Sequence, residues 1–199
     1  MTAPGGAVPG PDGVLRCPWA LGTADYIAYH DQEWGQPVRT DAGIFERLSL
    51  EAFQSGLSWL TILRKRENFR AAFGGFDPET VAGFGPADEA RLLADAGIVR
   101  NRSKVRAVIG NARAALDVPG GLAALVWRYA ESPGPGPVTL ADVPASTPAS
   151  QACARELRKL GFSFVGPVTL YAAWQACGVV DDHLEGCFRR GIGTRSVSD

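Results

Sequence analysis

The stretch ARELRKLGFSFVGPVTLYAAW, residues 154–174, indicates the fold class of this 199-residue chain. Both of its ends have helical composition, and the six residues GFSFVG (161–166) separate them. Gly161 suits a helix C-cap and Gly166 opens the next helix. Glycines in such a turn expose backbone N–H groups, which can hold a phosphate at a helix N-terminus. The glycine spacing is weak evidence by itself, because any tight turn between two helices has this appearance.

The remainder of the chain also predicts helices. Thr23 is a capping residue before ADYIAYHDQEW (24–34), and Asp41 is an N-cap candidate for DAGIFERLSLEAFQSG (41–56). Thr147 and Pro148 have the cap-then-proline order that begins a helix. No convincing run of alternating β-branched residues indicates a strand. We therefore expect an all-α fold.

Composition and charge limit the function classes. Hydrophobic residues make up 46% of the chain, charged residues 21%, and the net charge is −1, which is typical of a globular protein without a general basic surface. The sequence shows neither a signal peptide nor an apolar run that could cross a membrane, so we expect a cytoplasmic protein. We expect residues 1–13 to be a disordered Gly/Pro-rich leader, 14–190 a single domain and 191–199 a flexible tail.

Cysteine and histidine occur in pairs near the two ends of the chain. In DHLEGC (182–187), His183 and Cys187 have the spacing of one helical face, and Cys17 precedes the chain's other histidine, His30, by thirteen residues. Together they would make a Cys₂His₂ set, which suits a structural zinc without an open coordination position. The alternative is two unrelated free thiols and two ordinary histidines.

A carboxylate interrupts an apolar helical face. Ile44, Leu48 and Glu51 follow the i, i+4, i+7 spacing, and a carboxylate on such a face is costly unless it is paired. Either the helix turns so that Glu51 reaches an edge or an arginine, or the carboxylate lines a pocket for a cationic or donor-rich ligand. Aromatic residues nearby favour the pocket, although a plain aromatic core would explain them too: Trp19, Tyr26, Tyr29 and Trp59.

Long stretches of the chain resemble one protein family. The sequence is similar to the bacterial 3-methyladenine DNA glycosylase I family of the helix-hairpin-helix glycosylase superfamily. The matching stretches are CPWALGTADYIAYHDQEWG, LEAFQSGLSWLTILRKRENFRAAFGGFDP, DAGIVRNRSKVRAVIGNARA, GFSFVG and QACGVVDDHLEGC.

The resemblance implies a two-lobed all-α fold in which a zinc joins the N-terminal and C-terminal segments. It implies the ligands Cys17, His30, His183 and Cys187. It also implies a base pocket of Trp19, Tyr26, Tyr29, Glu51 and Trp59, in which Glu51 and Tyr29 hydrogen-bond the base and Trp59 stacks on it. Leu57 would fill the gap left in the duplex, and the hairpin at Gly161 and Gly166 would bind backbone phosphate.

The implied activity is hydrolysis of the N-glycosidic bond of 3-methyladenine in alkylated double-stranded DNA, after the base has been flipped out. No lysine lies in the pocket motifs, so we expect no lyase step. We also expect a monomer that uses no nucleotide cofactor. A family member has glutamine where this chain has Phe53, and we expect this difference to affect only the pocket rim.

Other interpretations are a zinc-stabilised protein that binds damaged DNA without cutting it, and a metallohydrolase with a catalytic zinc. A pure binder has no need of a carboxylate at Glu51, and a catalytic zinc needs an open coordination position. Asp181 and Asp182 receive no catalytic role, and we expect them to orient the zinc-binding histidine.

Overall fold

The computed structural model describes residues 6–130 and 134–191. These residues are mostly helical, in agreement with the all-α expectation except for one short strand pair. A two-stranded antiparallel pair, β1 (Val8–Pro9) and β2 (Leu15–Arg16), precedes the helices. The α-helices of the described residues are α1 (Ala24–Gln32), α2 (Asp41–Gln54), α3 (Trp59–Ala72), α4 (Pro78–Ala82), α5 (Pro86–Ala94), α6 (Arg102–Leu116), α7 (Leu122–Trp127), α8 (Pro148–Lys159) and α9 (Pro167–Cys177). Short 3₁₀ turns occur at Pro18–Gly22, Gly74–Phe76 and Leu140–Asp142.

The helix boundaries follow from capping side chains. The Thr23 hydroxyl accepts a hydrogen bond from the Tyr26 N–H at the start of α1, and Thr147 caps α8 in the same way. The expected cap of α2 is wrong by one residue, because Thr40 is the N-cap. Asp41 is the first helical residue, and its carboxylate accepts a hydrogen bond from the backbone N–H of Ala123.

The described residues divide into two compact units, and the division falls inside α9. The first unit takes in the described residues up to Pro37, those of Ala130–Ala145 and those from Trp174 onward. The second unit comprises Val38–Tyr129 and Ser146–Ala173.

Backbone hydrogen bonds join the N-terminal and C-terminal segments within the first unit. The Ala7 N–H donates to the Glu185 carbonyl at 3.0 Å, and the Phe188 N–H donates to the Leu15 carbonyl at 3.1 Å. Residues 6–13, which belong to the leader expected to be disordered, include β1 and a turn. Residues 1–5 and the tail residues 192–199 lie outside the described part of the chain.

Phenylalanine rings form much of the core of the second unit. Phe53 on α2 is fully buried and packs against Phe69 and Phe73, with ring centroids 4.6 and 5.8 Å away. Phe73 stacks in turn on Phe76. In the described part of the chain, no helix has both the length and the apolar character needed to cross a bilayer.

Candidate functional site

A buried cluster of two cysteines and two histidines, which we call the metal-ligand cluster, lies in the first unit. The ligand atoms of Cys17, His30, His183 and Cys187 all lie within 4.8 Å of one another, and all four residues are buried. Their proximity favours a shared site over unrelated thiols and histidines. Two sulfur and two imidazole nitrogen donors at this spacing can hold a metal ion.

Each histidine directs one particular ring nitrogen at the cysteines. His30 Nε2 lies 3.4 Å from Cys187 Sγ. His183 Nδ1 lies 3.8 Å from Cys17 Sγ and 3.6 Å from Cys187 Sγ. The predicted i, i+4 pair, His183 and Cys187, thus meets without a helix, because residues 181–184 have no regular secondary structure and Glu185 and Gly186 form a turn.

The two thiols share their protons unequally. The hydrogen bond with Cys17 holds the pKa of Cys187 well below its usual value, and His183 and His30 lower it further. The hydrogen bond with Cys187 and burial raise the pKa of Cys17. A cation among the four residues would favour the ionised form of both thiols.

A carboxylate orients one of the cluster histidines. His30 Nδ1 lies 2.9 Å from Asp31 Oδ1, which leaves Nε2 to face the cysteines. Arg16 donates to Asp31 through Nε and Nη2 at 2.7–3.0 Å and also binds Asp12. Neither Asp31 nor Arg16 was predicted from the sequence, although Asp31 directly follows a candidate ligand.

Asp181 and Asp182, the two residues before His183, accept hydrogen bonds from different groups. The Asp181 carboxylate accepts from the backbone N–H groups of His183 and Gly191, so it holds the backbone that carries His183. Asp182 accepts a hydrogen bond from Gln175 Nε2 at 2.8 Å.

Aromatic side chains of the first unit surround the indole of Trp19. Tyr26 and Tyr29 on α1 lie 6.1 and 6.4 Å from Trp19, centroid to centroid, and the Tyr26 ring meets it edge-on. Trp19 also contacts His30 at 5.3 Å and Trp34 at 5.0 Å. Three of the predicted base-binding residues therefore form one aromatic group, which contacts the metal-ligand cluster directly through His30.

Glu51 lies in the second unit and is buried on α2. Its side chain belongs to the predicted apolar face, since Ile44, Leu48 and Glu51 are all buried. Only 7% of Glu51 is exposed, and among residues 6–130 and 134–191 its carboxylate forms no recorded hydrogen bond or ion pair. Burial raises its pKa to about 8, because desolvation disfavours the charged form. The alternative in which Glu51 reaches an arginine is therefore wrong.

Leu57 and Trp59 follow Glu51 in the same unit. Gly56, with φ +81°, turns the chain after α2, and Leu57 on this turn is 41% exposed. Ser58 caps α3, so Trp59 is the first residue of that helix and is partly buried. Phe53, in contrast, lies in the phenylalanine core, which differs from the expectation that it affects a pocket rim.

The hairpin at residues 161–166 has the predicted capping geometry. Gly161 has φ +96°, its N–H donates to the Arg158 carbonyl, and the Phe162 N–H donates to the Leu157 carbonyl. These are the two hydrogen bonds of a Schellman motif, which ends α8. Gly166 precedes α9, and its carbonyl accepts from the Leu170 N–H at 2.8 Å.

Comparison with known proteins connects these features to one family. The family model described as methyladenine glycosylase matches residues 19–190. DNA-3-methyladenine glycosylase 1 of Escherichia coli K12 is 46% identical over 177 residues, which cover 86% of this chain and 95% of that protein.

Solved structures agree with the sequence comparison. A crystal structure of 3-methyladenine DNA glycosylase I has a TM-score of 0.84 and 45% identity, covering 88% of this chain and 99% of the other. A structure addressing 3-methyladenine recognition by the Staphylococcus aureus enzyme also has a TM-score of 0.84, with 32% identity and 88% and 96% coverage. The family model includes three of the four cluster residues, His30, His183 and Cys187. The chain belongs to the methyladenine glycosylase family.

Proposed function

We propose that this chain is a monofunctional DNA glycosylase that removes 3-methyladenine from alkylated double-stranded DNA by hydrolysis of the N-glycosidic bond. The observation that carries the proposal is the buried carboxylate of Glu51, which has no recorded partner among the described residues. A buried carboxylate costs free energy, and a ligand that supplies donors or positive charge recovers it. Membership of the methyladenine glycosylase family supports the same function.

Glu51 suits a base that carries positive charge. Methylation at N3 makes adenine in DNA cationic, so the base departs as a neutral molecule and needs little help from a general acid. Before binding, the pKa of about 8 keeps much of the Glu51 population protonated at neutral pH. A cationic base favours the carboxylate and lowers that pKa, because opposite charges stabilise each other at low dielectric.

We propose that aromatic residues provide the rest of the base recognition. Trp59 would stack on the base, and an indole face under a cation contributes about 0.5–2 kcal/mol. Tyr29 would hydrogen-bond the base, and Trp19 and Tyr26 would contact it. None of these residues is a lysine, which supports hydrolysis without a Schiff-base lyase step.

We propose that the metal-ligand cluster holds one structural zinc. With zinc–sulfur bonds of about 2.3 Å and zinc–nitrogen bonds of about 2.0–2.1 Å, tetrahedral geometry places sulfur about 3.6 Å from nitrogen. The observed sulfur–nitrogen distances of 3.4, 3.6 and 3.8 Å lie on both sides of this value. Four protein ligands leave no position for a catalytic water, so the zinc would stabilise the segments before α1 and after α9.

We propose that Leu57 and the hairpin bind the DNA. Leu57, exposed on its turn, would fill the gap that the flipped base leaves. The hairpin at Gly161 and Gly166 would hold a backbone phosphate through its N–H groups at the start of α9, which makes α8, the hairpin and α9 a helix-hairpin-helix motif. We further propose that residues 14–190 form one glycosylase domain and that the protein acts as a monomer. A genomic DNA substrate implies a cytoplasmic location.

Release of free 3-methyladenine from methylated duplex DNA tests the function. We expect release by the wild type and a loss of roughly 10- to 100-fold in Glu51→Gln, because the variant has no carboxylate for the cationic flipped base, and a hydrogen bond to a charged group contributes about 1.5–3 kcal/mol. Glu46→Gln is the matched control, since Glu46 is also buried on α2 but is paired with Arg70 at 2.7 Å.

The alternatives give different results. A non-catalytic binder would retain methylated DNA without releasing the base. A metallohydrolase would lose its activity in His183→Ala while remaining folded. Unchanged base release by Glu51→Gln would contradict the role of that carboxylate.

A further inference from the structure

Two polar side chains are buried on one face of α6. Lys104 is 7% exposed and Asn111 is 3% exposed. They are seven residues apart, two helical turns, which places them about 10 Å apart along the same face. Burial of a polar group costs free energy unless the group is hydrogen-bonded. The hydrogen-bond partners of Lys104 and Asn111 therefore explain how the two side chains can be buried on this face.

Lys104 binds the end of the helix that carries Glu51. Its Nζ donates to the Phe53 carbonyl at 2.9 Å and to the Ser55 carbonyl at 2.6 Å. These carbonyls lie at the C-terminus of α2, where a helix leaves carbonyls unsatisfied and its dipole favours a cation. Within the described ranges Lys104 forms no ion pair, so its ammonium group serves these carbonyls alone.

The segment after α2 is therefore fixed at both ends. We call residues 55–58 the Leu57 turn. Lys104 holds its first carbonyl, that of Ser55, and the Ser58 hydroxyl accepts from the Thr61 N–H at its other end. The Leu57 N–H donates to the Gln54 carbonyl at 2.7 Å. Leu57 thus lies on a short turn whose two ends are held by hydrogen bonds.

Asn111 binds the hairpin with both atoms of its amide. Nδ2 donates to the Ser163 carbonyl at 2.9 Å, and Oδ1 accepts from the Ser163 N–H at 2.7 Å. The amide thereby forms with the Ser163 backbone the two hydrogen bonds that a residue of an adjacent β-strand would form. Phe162 and Val165, on either side of the tip, are buried, whereas Phe164 is exposed with φ +58°. The pair of hydrogen bonds holds the hairpin tip in this unusual backbone conformation.

We propose that Lys104 and Asn111 are positioning residues that attach the Leu57 turn and the hairpin to one rigid helix, so that their spacing is set before DNA binds. This inference rests on the proposed function, in which those two segments contact the DNA. Neither side chain needs to touch DNA, since each acts on backbone groups of the segment it holds. Preorganisation of this kind lowers the ordering cost of binding and places contacts accurately.

The test uses Lys104→Met and Asn111→Leu in the full chain, with Lys65→Met as the matched control. Lys65 Nζ also donates to two backbone carbonyls, those of Ala96 and Gly97, at 3.0 and 3.1 Å. Those carbonyls belong to neither the Leu57 turn nor the hairpin. Three quantities are measured: the single-turnover rate of 3-methyladenine release from duplex DNA, the Kd for duplex DNA and the Kd for free 3-methyladenine.

We expect Lys104→Met to affect mainly the rate of base release and Asn111→Leu to affect mainly the affinity for duplex DNA. Lys104→Met should lower the single-turnover rate by roughly 10- to 100-fold, the loss typical of a small misplacement of groups in an active site. Asn111→Leu should chiefly weaken duplex binding, by about tenfold, because a charge-assisted phosphate contact is worth about 1.5 kcal/mol or more. Free 3-methyladenine should bind both variants as it binds the wild type, and Lys65→Met should change none of the three quantities.

Second variants cover the case in which the first ones fold poorly. Lys104→Arg keeps a cation with several donors and should restore most of the rate. Asn111→Asp keeps the acceptor for the Ser163 N–H, loses the donor and should remain weaker in duplex binding.

Two results would overturn the inference while leaving the proposed function intact. One is that Lys104→Met and Asn111→Leu match Lys65→Met in all three measurements. The other is that they lose free-base affinity in proportion to duplex activity, which would indicate general unfolding. A wild-type protein that releases no 3-methyladenine would instead overturn the proposed function, and this inference with it.

Discussion

Gly35 lies against the imidazole of His183, so closely that a Cβ atom on Gly35 would be 2.8 Å from Nε2. The residue has φ +80°, and the indole of its neighbour Trp34 meets the His183 ring edge-on at 4.6 Å. One edge of the imidazole therefore lies against backbone, and the opposite edge, with Nδ1, is directed at Cys17 and Cys187. The absence of a side chain at Gly35 thus contributes to the metal-ligand cluster.

Gly35→Ala should displace His183 and lower the zinc content and the melting temperature together. Gly13→Ala is the control, because Gly13 has φ +77° and open space around its Cβ position. Both substitutions cost about 1 kcal/mol of left-handed backbone strain, but only the first causes a clash. Metal analysis and a thermal scan measure the difference. Equal zinc content in the two variants would show that the close approach does not matter.

Cys17→Ser or His183→Ala should abolish binding of the proposed zinc and remove much of the stability, because metal binding by a structural site contributes directly to folding. We expect the melting temperature to fall by about 10 °C or more, since 1 kcal/mol corresponds to about 2–4 °C in a protein of this size. Cys153→Ala is the control, because Cys153 is equally buried but lies outside the cluster. One zinc per chain in either ligand variant would contradict the assignment.

Glu51 should make the protein less stable as the pH rises. Burial raises its pKa in the folded chain from 4.5 to about 8, so between these values the folded state binds more protons than the unfolded state. The stabilisation is complete below pH 4.5 and is lost as the pH rises through 8. The shift from 4.5 to about 8 corresponds to at most about 5 kcal/mol, at about 1.4 kcal/mol for each tenfold change in proton affinity.

Urea denaturation of the wild type and of Glu51→Gln at pH 5 and pH 9 measures this effect. The glutamine variant has no proton to lose at this position, so its free energy of unfolding should exceed that of the wild type most at pH 9. Parallel pH profiles for the two proteins would mean that the Glu51 carboxylate is not desolvated in solution.

Leu57→Ala should lower the rate of base release without lowering the stability of the protein. Leu57 is 41% exposed, so its truncation should change the free energy of unfolding by less than about 0.5 kcal/mol. Base release from duplex DNA should fall roughly tenfold, because the flipped state loses the side chain that fills the gap. Leu116→Ala, another exposed leucine of the second unit, should change neither quantity. Equal rates in both variants would exclude a role for Leu57 in base flipping.

Local features of the chain were predictable because they depend on residues close in sequence. Thr23, Ser58 and Thr147 cap helices through N–H groups three residues further on. The buried position of Glu51 followed from helical periodicity on α2. The error at α2, where Thr40 rather than Asp41 is the cap, arose because both residues have suitable side chains and only the tertiary contact of Asp41 with Ala123 distinguishes them.

By itself, the sequence predicted the helical class and placed Glu51 on an apolar helical face, since spacing and residue type encode these features, and it offered Cys17, His30, His183 and Cys187 as candidate metal ligands. Tertiary structure decided which groups support them: Asp31 on His30, Gly35 against His183, Lys104 on the Leu57 turn and Asn111 on the hairpin. Except for Asp31, these partners lie from 49 to 148 residues away in the chain. The cost of loop closure rises only slowly with sequence separation, so many distant pairs of residues could meet. Local propensity does not select among these pairs, and only the packing of the folded chain brings the observed ones together.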